Sequence, residues 1–199
     1  MGANLSIIPK GFRIVGYFLV EATARPACFA LPCKRLLSLS DCIANIYPPE
    51  TERTSPSMMA LAETALFSPG EGRFARRKDA LAWYGKYSRQ AEGLHIVGQC
   101  MREDLVGRFL REAESLCRGE EAAEPKTLLG GEILGFDGGL HSYLCNGLDK
   151  DLRDKFPIRW NSWGLIENSY EEMCAFASFI QGQGETVDWL PCLLFDYTP

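Results

Sequence analysis

The chain has 199 residues, 46% hydrophobic and 24% charged, enough apolar material for one sizeable core or two small ones and too much for disorder. Its formal net charge of -5 argues against the whole-domain basic footprint of a nucleic-acid-binding protein. Apolar runs such as those at 17–20 and 190–195 fall far short of the roughly 18 residues a membrane-spanning helix needs.

At the N-terminus, MGANLSIIPKGF lacks both a basic leader and an apolar stretch long enough for secretion, so the expected location is the cytoplasm. MGANLS also fits the M-G-x-x-x-[ST] acylation pattern, with Gly2 as acceptor. Only Lys10 and Arg13 follow closely, and one acyl chain without a polybasic patch anchors weakly. The eight cysteines sit in apolar-periodic segments without the dense spacing of a disulfide scaffold, which predicts free thiols.

GFRIVG (11–16) reads as a strand, and residues 27–31 as another. A helix is expected over 38–47, opened by Ser38 and Asp41 and closed by Pro48-Pro49, and a second over 56–67, where Ser55 caps and Pro56 takes the first position. A third spans 76–89. There Arg73, Arg76, Arg77, Lys78, Lys86 and Arg89 lie among Trp83, Tyr84 and Tyr87, the mixture that single-stranded nucleic acid uses for stacking and phosphate contact. At helical spacing, Ala80, Leu81, Tyr84 and Tyr87 form an inner face instead, and with the acidic net charge this reading is preferred.

GLHIVG (93–98) is the next strand. His95 and Cys100 stand at an odd offset on it and point to opposite faces, which argues against a shared zinc ion. Residues 101–117 repeat apolar side chains at helical spacing. After them, RGEEAAEPKT (118–127) is polar and ends near a proline, so 119–129 reads as an acidic linker. It divides the charge: residues 1–118 carry 16 Lys+Arg and 12 Asp+Glu, net +4, and residues 119–199 carry 5 and 14, net −9. The expected organisation is a net basic α/β region over 1–118 and a net acidic one over 130–199, as two units or as one composite domain.

GGEILG (130–135) repeats the wording G-x-x-I-[VL]-G of the two earlier strands, but none of the three continues into a phosphate-binding loop. Next comes FDGGLHSYLCNGL (136–148). Winding 140–152 as a helix places Leu140, Leu144, Leu148 and Leu152 on one stripe, with His141 and Cys145 inside or beside it. This predicts a packed histidine and an inert thiol. The alternative is a small cytosolic enzyme using His141 with Cys145 or Asp137. Asp149, Asp151 and Asp154 lack the glycine and terminal glutamate of a calcium loop and make an acidic surface. Trp160 and Trp163 in RWNSWG follow in an irregular stretch, as interface aromatics do. Ser169 and Glu172 form a capping box for a helix over 169–180, and 187–195 is a last strand in which Pro191 demands an edge position, a bulge or a break.

Strand-then-helix order at 93–117 and 130–155 predicts an α/β or α+β fold, a mixed sheet packed by about six helices. The segments GGEILGFDGG, HSYLCNGL, GLIENSYEE and VDWLP, within residues 130–197, resemble small acidic bacterial immunity-type proteins encoded beside polymorphic toxins. The resemblance implies a non-enzymatic inhibitor presenting an acidic, aromatic face to a basic protein partner, with no cofactor and no catalytic residue to carry over. The net basic N-terminal region has no counterpart in it. The expected binding surface comprises Asp149, Asp151, Asp154, Trp160 and Trp163.

Overall fold

The computed structural model describes residues 8–26, 32–38, 73–74, 76–89, 94–112, 127–136, 140–142, 154–161, 163, 165–183 and 188–199. Seven strands form one sheet: β1 (Phe12–Pro26), β2 (Pro32–Ser38), β3 (Arg73–Phe74), β4 (Leu94–Arg102), β5 (Thr127–Phe136), β6 (Leu140–Ser142) and β7 (Asp188–Asp196). With them go helices α1 (Arg77–Tyr87), α2 (Glu103–Glu112) and α3 (Tyr170–Gln181). The sheet runs β2-β1-β4-β7-β5-β6 with β3 also on β1, and every pairing is antiparallel.

This corrects the expected mixed sheet under about six helices. The described residues hold three helices besides a helical pair at Asp154 and Lys155, and no parallel pair of strands. The strand-helix-strand unit from β4 through α2 to β5 exists, but β7 lies between its two strands and runs antiparallel to both. A strand from the far end of the chain thus separates the two strands that this unit joins. Two other expected helices, at 38–47 and 56–67, lie outside the described residues apart from Ser38, which ends β2. The helix expected over 140–152 does not start at Leu140, and 143–152 lie outside the described residues. Leu140, His141 and Ser142 form β6, with His141 opposite Gly135. The linker gives way at its end, since β5 already starts at Thr127.

The sheet is buried on both faces. On β4, Leu94, Ile96 and Cys100 join one apolar cluster while Val97 and Met101 join the other, the alternation a strand imposes. An extra residue, Val15, bulges between Ile14 and Gly16 of β1 and adds to the second cluster. That cluster also takes Met173, Phe176, Ala177 and Ile180 of α3, whereas the first takes Ala80 of α1 with Leu81, Trp83 and Tyr84 packed beside it. Trp83 and Tyr84 of the basic 73–89 stretch thus pack against the core. Strands from both charge halves build this one sheet, and Arg108 and Asp188 pair across them at 2.6 Å.

Pro191 finds its place through Tyr170. The β4–β7 ladder runs from Val97↔Asp196 to Cys100↔Leu193 and stops. Where Arg102 and Pro191 would come opposite, the Tyr170 hydroxyl stands between them. It accepts from the Arg102 N–H at 3.3 Å and donates to the Pro191 carbonyl at 2.8 Å. In a strand the N–H and C=O of one residue point to the same side, so the donor that proline lacks would face this same gap. A strand interior in the sheet therefore tolerates proline there, because the ladder on that side has already ended.

Cys100 and Cys192 are fully buried, Cys174 is half-buried, and none of the three is in a disulfide. Burial pushes the Cys100 thiol up to about 12, so it carries almost no thiolate at neutral pH. Alkylation of the folded protein followed by peptide mapping is expected to leave Cys100 and Cys192 unmodified until denaturant is added. Fast modification of Cys100 in the native state would contradict this packing.

Candidate functional site

RWNSWGLIE folds back on itself as a short hairpin over 159–167. Its arms are joined by Glu167 N–H to the Arg159 carbonyl at 2.8 Å and Asn161 N–H to the Leu165 carbonyl at 3.0 Å, with Trp160 and Ile166 bridged. The Asn161 side chain closes the tip: its Oδ1 accepts from the Trp163 N–H at 2.9 Å and the Leu165 N–H at 3.1 Å. This is the local competition with backbone bonding for which asparagine is favoured in turns.

The hairpin is tied to the sheet. Ile166 exchanges two backbone bonds of 2.8 Å with Gly131, and Asn161 Nδ2 donates to the Leu129 carbonyl, so the hairpin continues the β5 edge that β6 covers farther along. Gly130 and Gly131 permit this approach. A Cβ on Gly130 would meet Leu165 Cβ at 2.6 Å and Asn161 Nδ2 at 2.8 Å, and its φ of +147° is one that side-chain-bearing residues avoid. A Cβ on Gly131 would run into the Met173 sulfur.

At its base the hairpin meets the start of α3. Buried Asn168 accepts from the Arg159 N–H at 2.8 Å and donates to the Pro157 carbonyl and to Glu172 Oε1. Glu172 closes the capping box with Ser169. Donation from the Ser169 N–H, more than any other contact, holds the Glu172 carboxyl below the usual carboxylate range.

So held, Trp160 and Trp163 are half-buried, packed on the α3 side of the core. Asp154, Arg159, Glu167 and Glu171 along the same stretch are exposed. Trp163 also meets His95 of β4 edge to face, ring centroids 5.6 Å apart at 85°. His95 Nδ1 lies 3.4 Å from Thr198 Oγ1 and 3.8 Å from Asp196 Oδ2. Asp196 Oδ1 accepts from the Thr198 hydroxyl at 2.6 Å and its N–H at 2.9 Å. Burial opposes the Asp196 charge, but the contacts from His95 and Thr198 outweigh it, and the carboxyl sits below its ordinary range.

Of the residues singled out from the sequence, the structure gathers Trp160 and Trp163 on one hairpin and leaves Asp154 exposed shortly before it. Asp137, Cys145, Asp149, Asp151 and Gly2 lie outside the described residues. His141 is in a strand, so the helical spacing that set it beside Cys145 does not apply. His95 and Cys100 do fall on opposite sides of β4, His95 against Trp163 and Cys100 in the other cluster. The partnership of His95 with Asp196 has no sequence signal, since 101 positions separate them. Asn161 and Asn168 had one: each sits beside a tryptophan or a capping serine in a stretch without periodicity.

Among the described residues no three His, Cys, Asp or Glu side chains are placed to hold a metal ion, and no helix is long and apolar enough to cross a membrane. No protein-family model, curated protein or solved structure matches the chain.

Proposed function

We propose that this chain is a non-enzymatic protein-binding module of the inhibitor or immunity type, acting in the cytoplasm, whose acidic, aromatic surface engages a basic protein partner. The observation that carries the reading is the hairpin 159–167. Two tryptophans stand half-exposed on a turn fixed by Asn161, Asn168 and the β5 edge. Rigid aromatic anchors lose little entropy when they bind, and such residues dominate protein interfaces. The exposed carboxylates Asp154, Glu167 and Glu171 supply charge along the same stretch, which favours a basic partner and speeds encounter. On the resemblance noted above, that partner is a toxin domain.

Affinity capture with the full chain, followed by kinetics on the captured partner, tests the reading. Trp160→Ala or Trp163→Ala is expected to raise the dissociation rate by a cost of about 2 kcal/mol, roughly thirtyfold. Asp149→Lys with Asp154→Lys is expected to slow association and flatten its salt dependence, because peripheral charges mainly steer encounter. Unchanged kinetics in all of these folded variants would move the interface off this surface and remove the reading's support.

A further inference from the structure

Helix α1 opens beside a buried polar group. In the ladder of β1 and β3, Phe74 stands opposite Tyr17, and α1 begins at Arg77, three residues after Phe74, which sets its first turn next to Tyr17. Tyr197 packs edge to face on Tyr17, ring centroids 5.2 Å apart at 87°. The Arg77 guanidinium lies over the Tyr197 ring, 5.8 Å from its centroid. Tyr197 is only 1% exposed, and its hydroxyl is buried with no hydrogen-bond partner among the described residues. Burying a hydroxyl without a partner is costly, so an acceptor placed against it gains a hydrogen bond with no further desolvation of the protein.

The helix supplies further donors. Arg76 stands at the N-cap of α1 with no side-chain cap, and the amides of a first helical turn present partial positive charge to whatever lies before them. The carboxylate of that turn, Asp79, is engaged by Arg76 at 2.7 Å. Burial pushes the Tyr197 hydroxyl above the ordinary tyrosine range and Arg77 pulls against it, so the phenol keeps its proton at neutral pH and meets positive charge.

We infer that the start of α1 is a binding site for phosphate, as the free ion or a small monoester, held by the Arg77 guanidinium, the first-turn amides and the Tyr197 hydroxyl. A guanidinium offers a planar fork of N–H donors that matches phosphate oxygens, and a helix N-terminus adds donors with a favourable dipole. Each of these groups donates, so an acceptor-rich oxyanion is the ligand they fit. The site belongs to the cluster under α1, whereas the hairpin tryptophans pack on the other one, so it does not depend on the binding surface proposed above.

Isothermal titration calorimetry of the full chain tests this, with inorganic phosphate and glycerol phosphate in parallel and sodium chloride holding the ionic strength constant. Binding at a single site is expected. Tighter binding of glycerol phosphate marks the monoester as the ligand, and the reverse marks the free ion. Tyr197→Phe, which removes only the hydroxyl, and Arg77→Gln are each expected to weaken binding about tenfold or more, as loss of a hydrogen bond to a charged group does. In phosphate-free buffer, urea denaturation of Tyr197→Phe is expected to match or exceed wild type, because the orphaned hydroxyl is gone, and added phosphate should stabilise wild type more than the variant. Absence of binding to wild type, a response that sodium chloride alone reproduces, affinity that both folded variants leave unchanged, or a Tyr197→Phe chain less stable than wild type without phosphate overturns the inference.

Discussion

Gly130→Ala is expected to lower stability by about 3 kcal/mol, from backbone strain and overpacking together. Strain arises because φ is +147° at Gly130, and a β-carbon there crowds its own backbone. Overpacking arises because the new methyl would lie 2.6 Å from Leu165 Cβ and 2.8 Å from Asn161 Nδ2. Leu165 Cβ is one bond from the backbone, so it cannot swing aside, and the hairpin itself must move off β5. Gly131→Ala is the informative contrast. Its obstacle is the far end of the Met173 side chain, which can change rotamer, although the Ile166 carbonyl at 3.3 Å leaves little room. The cost at Gly131 should therefore be smaller. Urea denaturation of both variants measures the difference, and exchange of the Trp163 and Leu165 amides reports whether the hairpin detaches first. Equal stability of Gly130→Ala and wild type would mean that the hairpin does not sit on this edge.

The reason these two glycines matter could not be read from their neighbours. GGEILG shares its wording with GFRIVG and GLHIVG, and the apolar runs that follow the first glycines lie in strands, as predicted. Each glycine serves a different partner. Gly98 leaves room for the Tyr197 ring, whose nearest carbon would lie 2.5 Å from a Cβ, while Gly130 and Gly131 admit the hairpin. Local signals were legible where the cause is local. Ser169 and Glu172 lie three residues apart, and their capping box starts α3 within a residue of where the pattern places it. The 101–117 periodicity is real over Glu103–Glu112, but Met101 and Arg102 belong to β4, where pairing with Arg13 and Phe12 outweighs helical spacing. The same contest was lost at Leu140. Four leucines at intervals of four are a helical stripe on paper, yet β5 offers Leu140–Ser142 an open edge opposite Leu134–Phe136, and backbone pairing takes it. Nothing local tells of β7 entering between β4 and β5, and that insertion makes the sheet antiparallel and brings Asp196 to His95. The hairpin's aromatics were visible as composition, and its shape depends on two asparagines whose partners lie up to 32 positions away.

Tyr170→Phe is expected to cost about 2–3 kcal/mol, more than the loss of one ordinary hydrogen bond, because one hydroxyl serves two strands. It receives the Arg102 N–H of β4 and gives its proton to the Pro191 carbonyl of β7. Phenylalanine keeps the ring that packs edge to face on Phe12 at 4.6 Å and under the Arg102 guanidinium. With the ring retained the two strands stay apart, and the direct Arg102-to-Pro191 bond cannot form in its place. A donor and an acceptor then remain without partners in a region closed to most water, and each such orphan carries its own desolvation cost of about 1 kcal/mol or more. Burial pushes the Tyr170 hydroxyl above the ordinary tyrosine range, so it remains a donor to Pro191 through mildly alkaline pH and the bridge does not open there. Urea denaturation should show the loss, with the Arg102 amide exchanging faster in Tyr170→Phe while the amides of Val97–Cys100, inside the intact ladder, stay protected. If Tyr170→Phe matched wild type in both measurements, the strands would be closing on their own, and the tolerance of Pro191 inside the sheet would need another cause.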